Sequence, residues 1–320
     1  MPKSWGHCAI RVRVPPETAL STRTLPDVTW FESPSAALTG LGSAGYLADQ
    51  ATATTAFLAG AVGKPLLLEG PAGVGKTEFA KAVARATGAE LIRLQCYEGL
   101  DEARALYEWN YKKQLLRIQA SDASWDEAHD DIFSDEFLLS RPLLTAIRRP
   151  TPTVLLIDEV DKTDVEVEGL LLEVLSDFQV TIPELGTIKA VHRPYVVLTS
   201  NAARELSEAL KRRCLYLYLD YPNAEREREI ITSQVPELSD KVARQLVTVV
   251  ARLRELELKK SPSIAESVDW ARTLIALQIR SLDAEAIDRT LGVVLKHASD
   301  QDRAARELRL PSHDSRKQRR

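Results

Sequence analysis

The sequence predicts an α/β protein in which a parallel sheet flanked by helices is followed by a smaller all-helical domain. Two observations lead to this prediction. Between Pro65 and Pro222, apolar runs of four to six residues alternate with helical stretches, a pattern typical of a parallel sheet covered on both faces. After Pro222 the strand pattern stops and amphipathic helical stretches follow. A chain of 320 residues with 44 % hydrophobic content can form one large core and a second, smaller one.

The individual elements can be assigned in order along the chain. Strands are predicted at Pro65–Glu69, Glu90–Gln95, Thr153–Ile157, Tyr195–Thr199 and Cys214–Leu219. Helices are predicted at Tyr46–Ala61, Lys76–Thr87, Pro142–Arg148, Val165–Phe178, Ala224–Thr232, Ser239–Glu257, Ser263–Ile279 and Ala284–His297. Within Ser239–Glu257, apolar residues recur at i, i+4, i+7 and i+11, which predicts one buried face.

These elements divide the chain into four segments. We expect an irregular N-terminal arm at 1–40, an α/β domain at 41–222, a helical domain at 223–300 and a basic tail at 301–320. The arm is rich in Pro, Ser and Thr, with one short strand expected at Ala9–Val14. The tail carries seven Lys/Arg against three Asp/Glu. It is interpreted as a disordered solubilising tail or as a docking arm.

Composition excludes several classes of function. A formal net charge of −4 gives no electrostatic reason to expect a nucleic-acid-coating protein. The three cysteines are far apart and the histidines are scattered, which argues against a disulfide framework and against a metal held by protein ligands alone. No apolar run reaches the ~18 residues that a membrane span needs. We therefore expect a cytoplasmic protein.

A phosphate-binding loop follows the first predicted strand of the α/β domain. The run that fits G-x-x-x-x-G-K-[ST] at every fixed position is Gly70, Pro71, Ala72, Gly73, Val74, Gly75, Lys76 and Thr77. The glycines allow backbone N–H groups to converge on phosphate oxygens, and the following helix adds its N-terminal dipole. Lys76 is expected to reach the terminal phosphates and Thr77 to ligate Mg²⁺. The sequence thus predicts an ATP·Mg²⁺ site.

An acidic pair at the end of a later strand completes this prediction. Asp158 and Glu159 directly follow the apolar run Thr153–Ile157. A phosphate-binding loop needs one carboxylate for the Mg²⁺ shell and a second to polarise the attacking water. We assign Asp158 to the first role and Glu159 to the second, which predicts ATP hydrolysis.

Two further polar residues are candidates for the same chemistry. Asn201 follows the strand Tyr195–Thr199 and is expected to orient water between Glu159 and the γ-phosphate, the alternative being an ordinary turn residue. Arg213 ends a Lys-Arg-Arg run, whose Lys211 fits a solvated face. We expect Arg213 to act as an arginine finger on the ATP of a neighbouring subunit, which requires an oligomer.

Together these elements resemble an AAA+ ATPase, and more narrowly the MoxR family, over residues 45–300. The resemblance lies in LLLEGPAGVGKTEFAKAVA at Leu66–Ala84, VLLIDEVDK at Val154–Lys162, VVLTSN at Val196–Asn201 and LSEALKRRCLYLYLDYP at Leu206–Pro222. Within the family, Tyr97–Leu116 and Ser261–Ala271 are most similar to the branch encoded with carbon-monoxide-dehydrogenase-type molybdoenzymes. The resemblance implies a P-loop NTPase fold with a helical lid.

The resemblance also implies a hexameric, chaperone-like ATPase. Its expected partners are a protein carrying a von Willebrand factor A domain and a metalloenzyme client whose cofactor it helps to mature. Members of this branch carry an insert, to which Asp101–Ala120 corresponds. The insert contains three aromatic residues, Tyr107, Trp109 and Tyr111. Two interpretations are open for them: that they face a pore or client, or that they pack a local core. A β-hairpin is expected within Phe178–Arg193, either at the central face of the ring or as a structural element.

One departure from the family pattern concerns the lid. Relatives place an arginine that touches the γ-phosphate at the start of the third lid helix, where this chain has Ser263. Arg272 is a substitute or an ordinary surface residue. Cys214 also stands where relatives usually have Phe. Because this arginine is missing, we expect either slow hydrolysis or a lid that is coupled to the nucleotide by other means.

Three functions compete at this point. The first is a remodelling ATPase acting on a protein client. The second is a DNA-directed motor or loader, against which the chain offers no added DNA-binding domain and no basic face outside residues 301–320. The third is a switch that binds ATP and hardly turns it over, favoured by Ser263 and opposed by the intact Asp158 and Glu159.

Overall fold

The computed structural model of the chain describes residues 28–120 and 132–310. Its strands are β1 Leu66–Glu69, β2 Glu90–Gln95, β3 Tyr107–Trp109, β4 Leu138–Ser140, β5 Thr153–Asp158, β6 Gln179–Ile182, β7 Gly186–Lys189, β8 Tyr195–Ser200 and β9 Leu215–Tyr218. The helices of the α/β part are α1 Pro34–Ser43, α2 Gln50–Val62, α3 Lys76–Thr87, α4 Glu102–Ala105, α5 Tyr111–Ala120, α6 Pro142–Arg148, α7 Val165–Asp177 and α8 Glu208–Arg213. Those of the helical part are α9 Ala224–Gln234, α10 Asp240–Glu255, α11 Ile264–Ala276, α12 Ala284–Thr290 and α13 Ala298–Glu307. Short 3₁₀ turns lie at Asp135–Phe137, Val160–Lys162 and Leu291–Val293.

The central sheet has five parallel strands in the order β2-β5-β8-β1-β9. Every residue of β5 and β8 is buried, which explains their unbroken apolar runs. Leu155 and Leu198 face the core shared with α6 and α7, whereas Leu156 and Val197 face the core shared with α1 to α3. The predicted fold class, a parallel sheet flanked by helices, is therefore confirmed.

The order of the strands determines where the functional residues meet. In parallel register, Leu68 of β1 pairs with Thr199 of β8, and Ile157 of β5 pairs with Leu198 of β8. The carboxyl ends of these three neighbouring strands therefore lie side by side at one edge of the sheet. The phosphate-binding loop, the acidic pair and the Asn201 segment each begin at that edge.

The helical part packs around its own core. Trp270 is fully buried on α11 and donates an indole hydrogen bond of 2.8 Å to the Thr290 hydroxyl. The predicted stripe on α10 is buried at Val242, Leu246 and Leu253.

One buried polar network joins helices α9, α10 and α11. Arg254 of α10 makes two hydrogen bonds, of 2.6 and 2.9 Å, with the Glu227 carboxylate of α9. Glu227 also accepts from Ser267 of α11 at 2.8 Å. Satisfied charge pairs of this kind favour one arrangement of the three helices, which fixes the start of α11.

The predicted irregular arm is wrong for its last residues. Residues 34–43 form α1, because the Ser33 side chain accepts from the Ala36 N–H at 3.1 Å and Pro34 occupies the first helical turn, where its missing donor costs nothing. The helix predicted from Tyr46 begins instead at Gln50, where the Asp49 side chain caps it at 2.7 Å. The strand expected at Ala9–Val14 lies outside the described residues.

The predicted disordered tail is also wrong for its first residues. Residues 301–307 belong to α13, which buries Ala304 and Ala305 against the helical core. The helix predicted at Ala284–His297 ends earlier, at Thr290, and continues as the 3₁₀ turn. Residues 311–320 lie outside the described residues.

The segment between β2 and α6 contains residues 101–120, for which the resemblance predicts an insert. Strands β3 and β4 pair antiparallel, with Tyr107 opposite Ser140. Trp109 is only 7 % exposed and its ring meets Phe133 edge-to-face at 5.2 Å, so it packs a local core. Tyr111, by contrast, is 61 % exposed. Trp109 therefore packs a local core, whereas a pore- or client-facing role for Tyr111 stays a prediction.

The β-hairpin expected between the acidic pair and Asn201 is present. Strands β6 and β7 pair antiparallel, with Ile182 opposite Gly186. Among the described residues, no helix combines the length and the apolar character that crossing a membrane requires.

Candidate nucleotide-binding site

The loop at residues 70–77 joins β1 to α3. Gly70, Gly73 and Gly75 have φ angles of 154°, 77° and 103°, which L side chains rarely adopt. A Cβ on Gly70 would also collide with the Leu219 carbonyl at the end of β9. Because α3 begins at Lys76, the free N–H groups of its first turn point toward the loop. The loop therefore has the shape and the dipole to hold phosphate.

Lys76 is buried at the centre of this edge, with 6 % of its surface exposed. Its ammonium group donates to the carbonyl oxygens of Gly70 at 2.6 Å and Pro71 at 2.8 Å, and to the Asn201 side chain at 2.8 Å. Burial lowers the pKa of Lys76, and the nearby negative charge of Asp161 opposes that shift. All three hydrogen-bond partners are neutral, so the ammonium charge can pair with an incoming phosphate.

Asp158 ends β5 and is almost fully buried. It accepts a hydrogen bond from Thr77 at 3.0 Å, which brings the last loop residue and the first acidic residue together. The Thr199 hydroxyl donates to the same carboxylate at 2.6 Å, and Arg93 of β2 donates through Nε at 3.0 Å. These contacts fix the orientation of the carboxylate.

Glu159 lies beside Asp158 in a left-handed backbone conformation, with φ of 59°. Its N–H donates to the Thr199 hydroxyl at 2.8 Å, which helps to hold this uncommon conformation. Lys162 and Gln95 donate to Oε2 of Glu159 at 2.7 and 2.8 Å. The side chain is 31 % exposed, so the carboxylate faces the solvent-accessible space above the loop.

Asn201 follows β8, and its side-chain oxygen contacts the Lys76 ammonium. The Asn201 N–H donates to the Asp161 carboxylate at 3.1 Å, and the Ala203 N–H donates to the same oxygen at 2.9 Å. The structure therefore brings Asn201 together with the loop and the acidic pair.

These residues line one wall of a cavity of about 1250 Å³, whose other walls come from the residues before α2 and from the helical part. Arg226 of α9 and Arg272 of α11 both line it. Ser263 caps α11 and touches the loop, because a Cβ on Gly73 would collide with its side chain. The residue that replaces the expected lid arginine is thus in contact with the phosphate-binding loop.

The donor set fits a magnesium ion that is held mainly by nucleotide and water. Thr77 and Asp158 together offer one hydroxyl and one carboxylate, and Mg²⁺ commonly keeps phosphate oxygens and waters as its other ligands. Among residues 28–120 and 132–310, no group of three or more His, Cys, Asp or Glu side chains could hold a metal.

Comparison with protein families gives a match for one segment of the chain. Residues 65–214 match the AAA domain family of the dynein-related subfamily. This segment is therefore similar to AAA+ domains. AAA+ domains use a nucleotide, typically with Mg²⁺, and they generally oligomerise.

Curated proteins with similar sequences include an ATPase and a chaperone protein. The gas vesicle ATPase GvpN of Haloferax mediterranei is 28 % identical over 207 residues, or 61 % of this chain and 57 % of GvpN. Protein CbbQ of Hydrogenophilus thermoluteolus is 27 % identical over 194 residues, or 60 % of this chain and 66 % of CbbQ. The chaperone protein ClpB 2 of Parasynechococcus marenigrum is 35 % identical over 145 residues, or 44 % of this chain and 14 % of ClpB 2. The matches thus span less than two thirds of the length of these three relatives.

Among solved structures, a RuvB mutant of Thermotoga maritima resembles the chain with a TM-score of 0.47 and 17 % identity. The match covers 87 % of this chain and 83 % of that one.

Arg213 lies outside the cavity of its own chain. It ends α8, where Nε donates to the Ser176 hydroxyl at 2.7 Å and Nη1 to the Ala209 carbonyl at 3.3 Å. The side chain is exposed, as is that of Arg212. Lys211 pairs with Glu205 at 3.2 Å, in line with the solvated face predicted for it. The structure therefore brings together every predicted site residue except Arg213.

Four polar residues of the candidate site were missed in the sequence, one of which, Thr199, contacts both Asp158 and Glu159. Arg93 and Gln95 lie on β2 and contact Asp158 and Glu159 from the neighbouring strand. Their alternation, two residues apart, was the available signal, because such residues project from the same face of a strand. Asp161 lies two residues after Glu159. It is the third carboxylate within four residues, and this clustering of acidic residues was the other signal.

Proposed function

We propose that this chain is a MoxR-type AAA+ ATPase that couples ATP hydrolysis to the remodelling or cofactor maturation of a protein client. The single observation that best supports hydrolysis is the meeting of Lys76, Thr77, Asp158, Glu159 and Asn201 at one sheet edge. Names of similar proteins, a gas vesicle ATPase and a chaperone protein, agree with an ATP-driven activity on proteins.

The proposed mechanism begins with phosphate binding. The loop at 70–77 and the α3 N-terminus hold the phosphates, and Lys76 exchanges neutral oxygen partners for the terminal phosphates. Thr77 and Asp158 would hold Mg²⁺, which neutralises charge on the phosphates when it is bound. Arg93 and Thr199 keep the Asp158 carboxylate oriented.

Glu159 would then accept a hydrogen bond from the attacking water. Lys162 and Gln95 both donate to Oε2, and among the described residues none donates a hydrogen bond to Oε1. That oxygen is suited to polarise a water in line with the γ-phosphate. Asn201, held through Asp161, would orient the same water.

We further propose that Arg213 completes the site of a neighbouring subunit in a ring of about six. Its separation from the cavity of its own chain supports action in trans, where it would stabilise charge on the transferring phosphoryl group. A partner with a von Willebrand factor A domain, a metalloenzyme client and a cytoplasmic setting complete the proposal. The branch linked to carbon-monoxide-dehydrogenase-type enzymes is part of it and rests on the sequence resemblance alone.

A slow ATP-dependent switch is the second candidate. Ser263 favours it, since the lid contacts the loop through a serine in place of an arginine. Such a protein would bind ATP tightly and hardly turn it over, and it would act as a regulated binding module.

Phosphate release by the purified chain with ATP and Mg²⁺, combined with sizing in the presence and absence of nucleotide, separates these functions. Turnover together with a nucleotide-dependent assembly of about six subunits supports the remodelling ATPase. Tight binding without turnover supports the switch. Turnover that rises only when DNA is added would favour a DNA-directed motor.

A further inference from the structure

The segment between Asn201 and Arg213 is held by two buried carboxylates. Asp161 holds its first residues through the N–H groups of Asn201 and Ala203. Glu168 of α7, only 1 % exposed, holds its middle. Because Asp161 and Glu168 both follow Glu159 closely along the chain, the position of this segment is tied to the elements that leave the ATP site.

Glu168 fixes the start of the helix that carries Arg213. It accepts a hydrogen bond of 2.9 Å from the Ser207 N–H and forms an ion pair of 2.6 Å with Arg204. Ser207 is the N-cap of α8, and the Ser207 side chain accepts a hydrogen bond from the Leu210 N–H at 3.4 Å. A six-residue helix is not stable by itself, so its direction depends on such anchors.

The same helix α7 also anchors the other end of α8. Arg213 donates to Ser176, which lies eight residues, or about 12 Å, after Glu168 on α7. Helix α8 is therefore attached to α7 at both ends. A change at Glu168 would release the N-terminal attachment and leave the Ser176 contact in place.

We propose that Glu168 is a positioning residue for ATP hydrolysis in the neighbouring subunit, because it fixes the helix that presents Arg213. This inference rests on the proposed action of Arg213 in trans. Glu168 would touch no nucleotide itself. Misplacing a catalytic group by about 1 Å can cost about 100-fold in rate, so loss of one anchor is expected to reduce turnover without affecting ATP binding.

The direct test is the Glu168→Gln variant, which keeps the shape of the side chain and an acceptor for the Ser207 N–H but loses the charge that faces Arg204. We expect unchanged ATP affinity and turnover reduced about 10- to 100-fold. The matched control is Glu166→Gln, an exposed carboxylate on the same helix, which should behave like the wild type. Wild-type turnover in Glu168→Gln would overturn the inference.

Mixed assemblies distinguish a misplaced Arg213 from damage to the variant's own site. Glu168→Gln subunits keep Glu159, and Glu159→Gln subunits keep a correctly held Arg213. If the inference holds, mixing the two restores part of the turnover, because some intact sites then face a well-placed arginine. A purely structural defect in Glu168→Gln would not be restored at any mixing ratio.

The Arg213→Ala variant mixed with Glu159→Gln provides the control for the proposed function. Recovery in this mixture but not in the Glu168→Gln mixture overturns the inference and leaves action in trans intact. Failure of both mixtures overturns action in trans and the inference with it. If Glu168→Gln does not fold, Arg204→Gln removes the same ion pair from its partly exposed partner and must show the same recovery.

Discussion

The two walls of the nucleotide cavity hold their charges in different ways. On the strand wall, Lys76 and Asp158 are buried and each has several hydrogen-bond partners from other elements. On the lid wall, Arg272 is 60 % exposed and its partner at 3.6 Å is Asp269 of the same helix. Arg226 pairs with Glu229 of its own helix at 2.7 Å and donates to the Ala48 carbonyl.

The charged groups of the strand wall are therefore already held in place before ATP binds, whereas the arginines of the lid wall are not. Charges fixed by buried partners need little reorganisation when the transition state forms, which is the property that catalysis uses. Exposed arginines must give up solvent and side-chain entropy before they contribute. We therefore expect the strand wall to bind ATP and to carry out the chemistry, and the lid arginines to contribute little to either.

The largest effect is expected from Lys76→Met. The change removes the buried ammonium from the loop and keeps an apolar side chain of similar length. ATP affinity should fall about 100-fold, since charge-assisted hydrogen bonds of this kind contribute about 1.5–3 kcal/mol. Equilibrium titration with a fluorescent ATP analogue measures this, and an affinity within threefold of the wild type would contradict a phosphate-binding role for the strand wall.

A smaller effect on stability is expected from Glu168→Gln, and it should depend on pH. Hydrogen bonds from Ser207 and the Arg204 charge outweigh the effect of burial, so the pKa of Glu168 lies below its usual 4.5. A carboxylate with a lowered pKa stabilises the folded state above pH 4.5, and this contribution is lost as pH falls through the lowered value. At pH 7 the free energy of unfolding of the variant should be about 1–2 kcal/mol lower than that of the wild type.

Urea unfolding of both proteins at pH 7 and again below pH 4.5 measures this dependence. The difference between them should shrink at the lower pH. A difference that stays constant would mean that the charge of Glu168 is not what stabilises the segment after Asn201.

The smallest effect is expected from Arg272→Ala on the lid wall. Its exposure and its contact within one helix predict changes of less than about threefold in ATP affinity and in turnover. Steady-state phosphate release over a range of ATP concentrations measures both. A loss of tenfold or more in turnover would identify Arg272 as the substitute for the missing lid arginine and would end the distinction between the two walls.

The strand wall was the more predictable of the two from sequence. Continuous apolar runs identified β1, β5 and β8, and the loop and acidic pair belong to short motifs that tolerate little variation. The spacing of Arg93 and Gln95 predicts only that they share a face of β2, because their contacts depend on β2 lying next to β5, which is a property of strand order. Asp161 depends likewise on how the turn after β5 meets the segment after β8.

The short helices α1 and α13 were the main errors. Pro34 and its neighbours fit an irregular arm until the Ser33 cap is seen, because a proline in the first turn is compatible with either structure. In α13 only Ala304, Ala305 and the paired Asp300 are buried, so the apolar periodicity was too weak to reveal a helix. Burial of Ala37 and Leu41 adds to the Ser33 cap in α1, and tertiary packing stabilises α13.

The most direct test of the account is hydrolysis by Glu159→Gln under single-turnover conditions, beside the wild type and the exposed control Glu166→Gln. The variant should bind ATP with an affinity within about threefold of the wild type and hydrolyse it about 1000-fold more slowly, the range expected when a general base is lost. The control should match the wild type in both measurements. Hydrolysis by Glu159→Gln at the wild-type rate would contradict the assignment of the water-polarising group and, with it, the chemistry proposed for the strand wall.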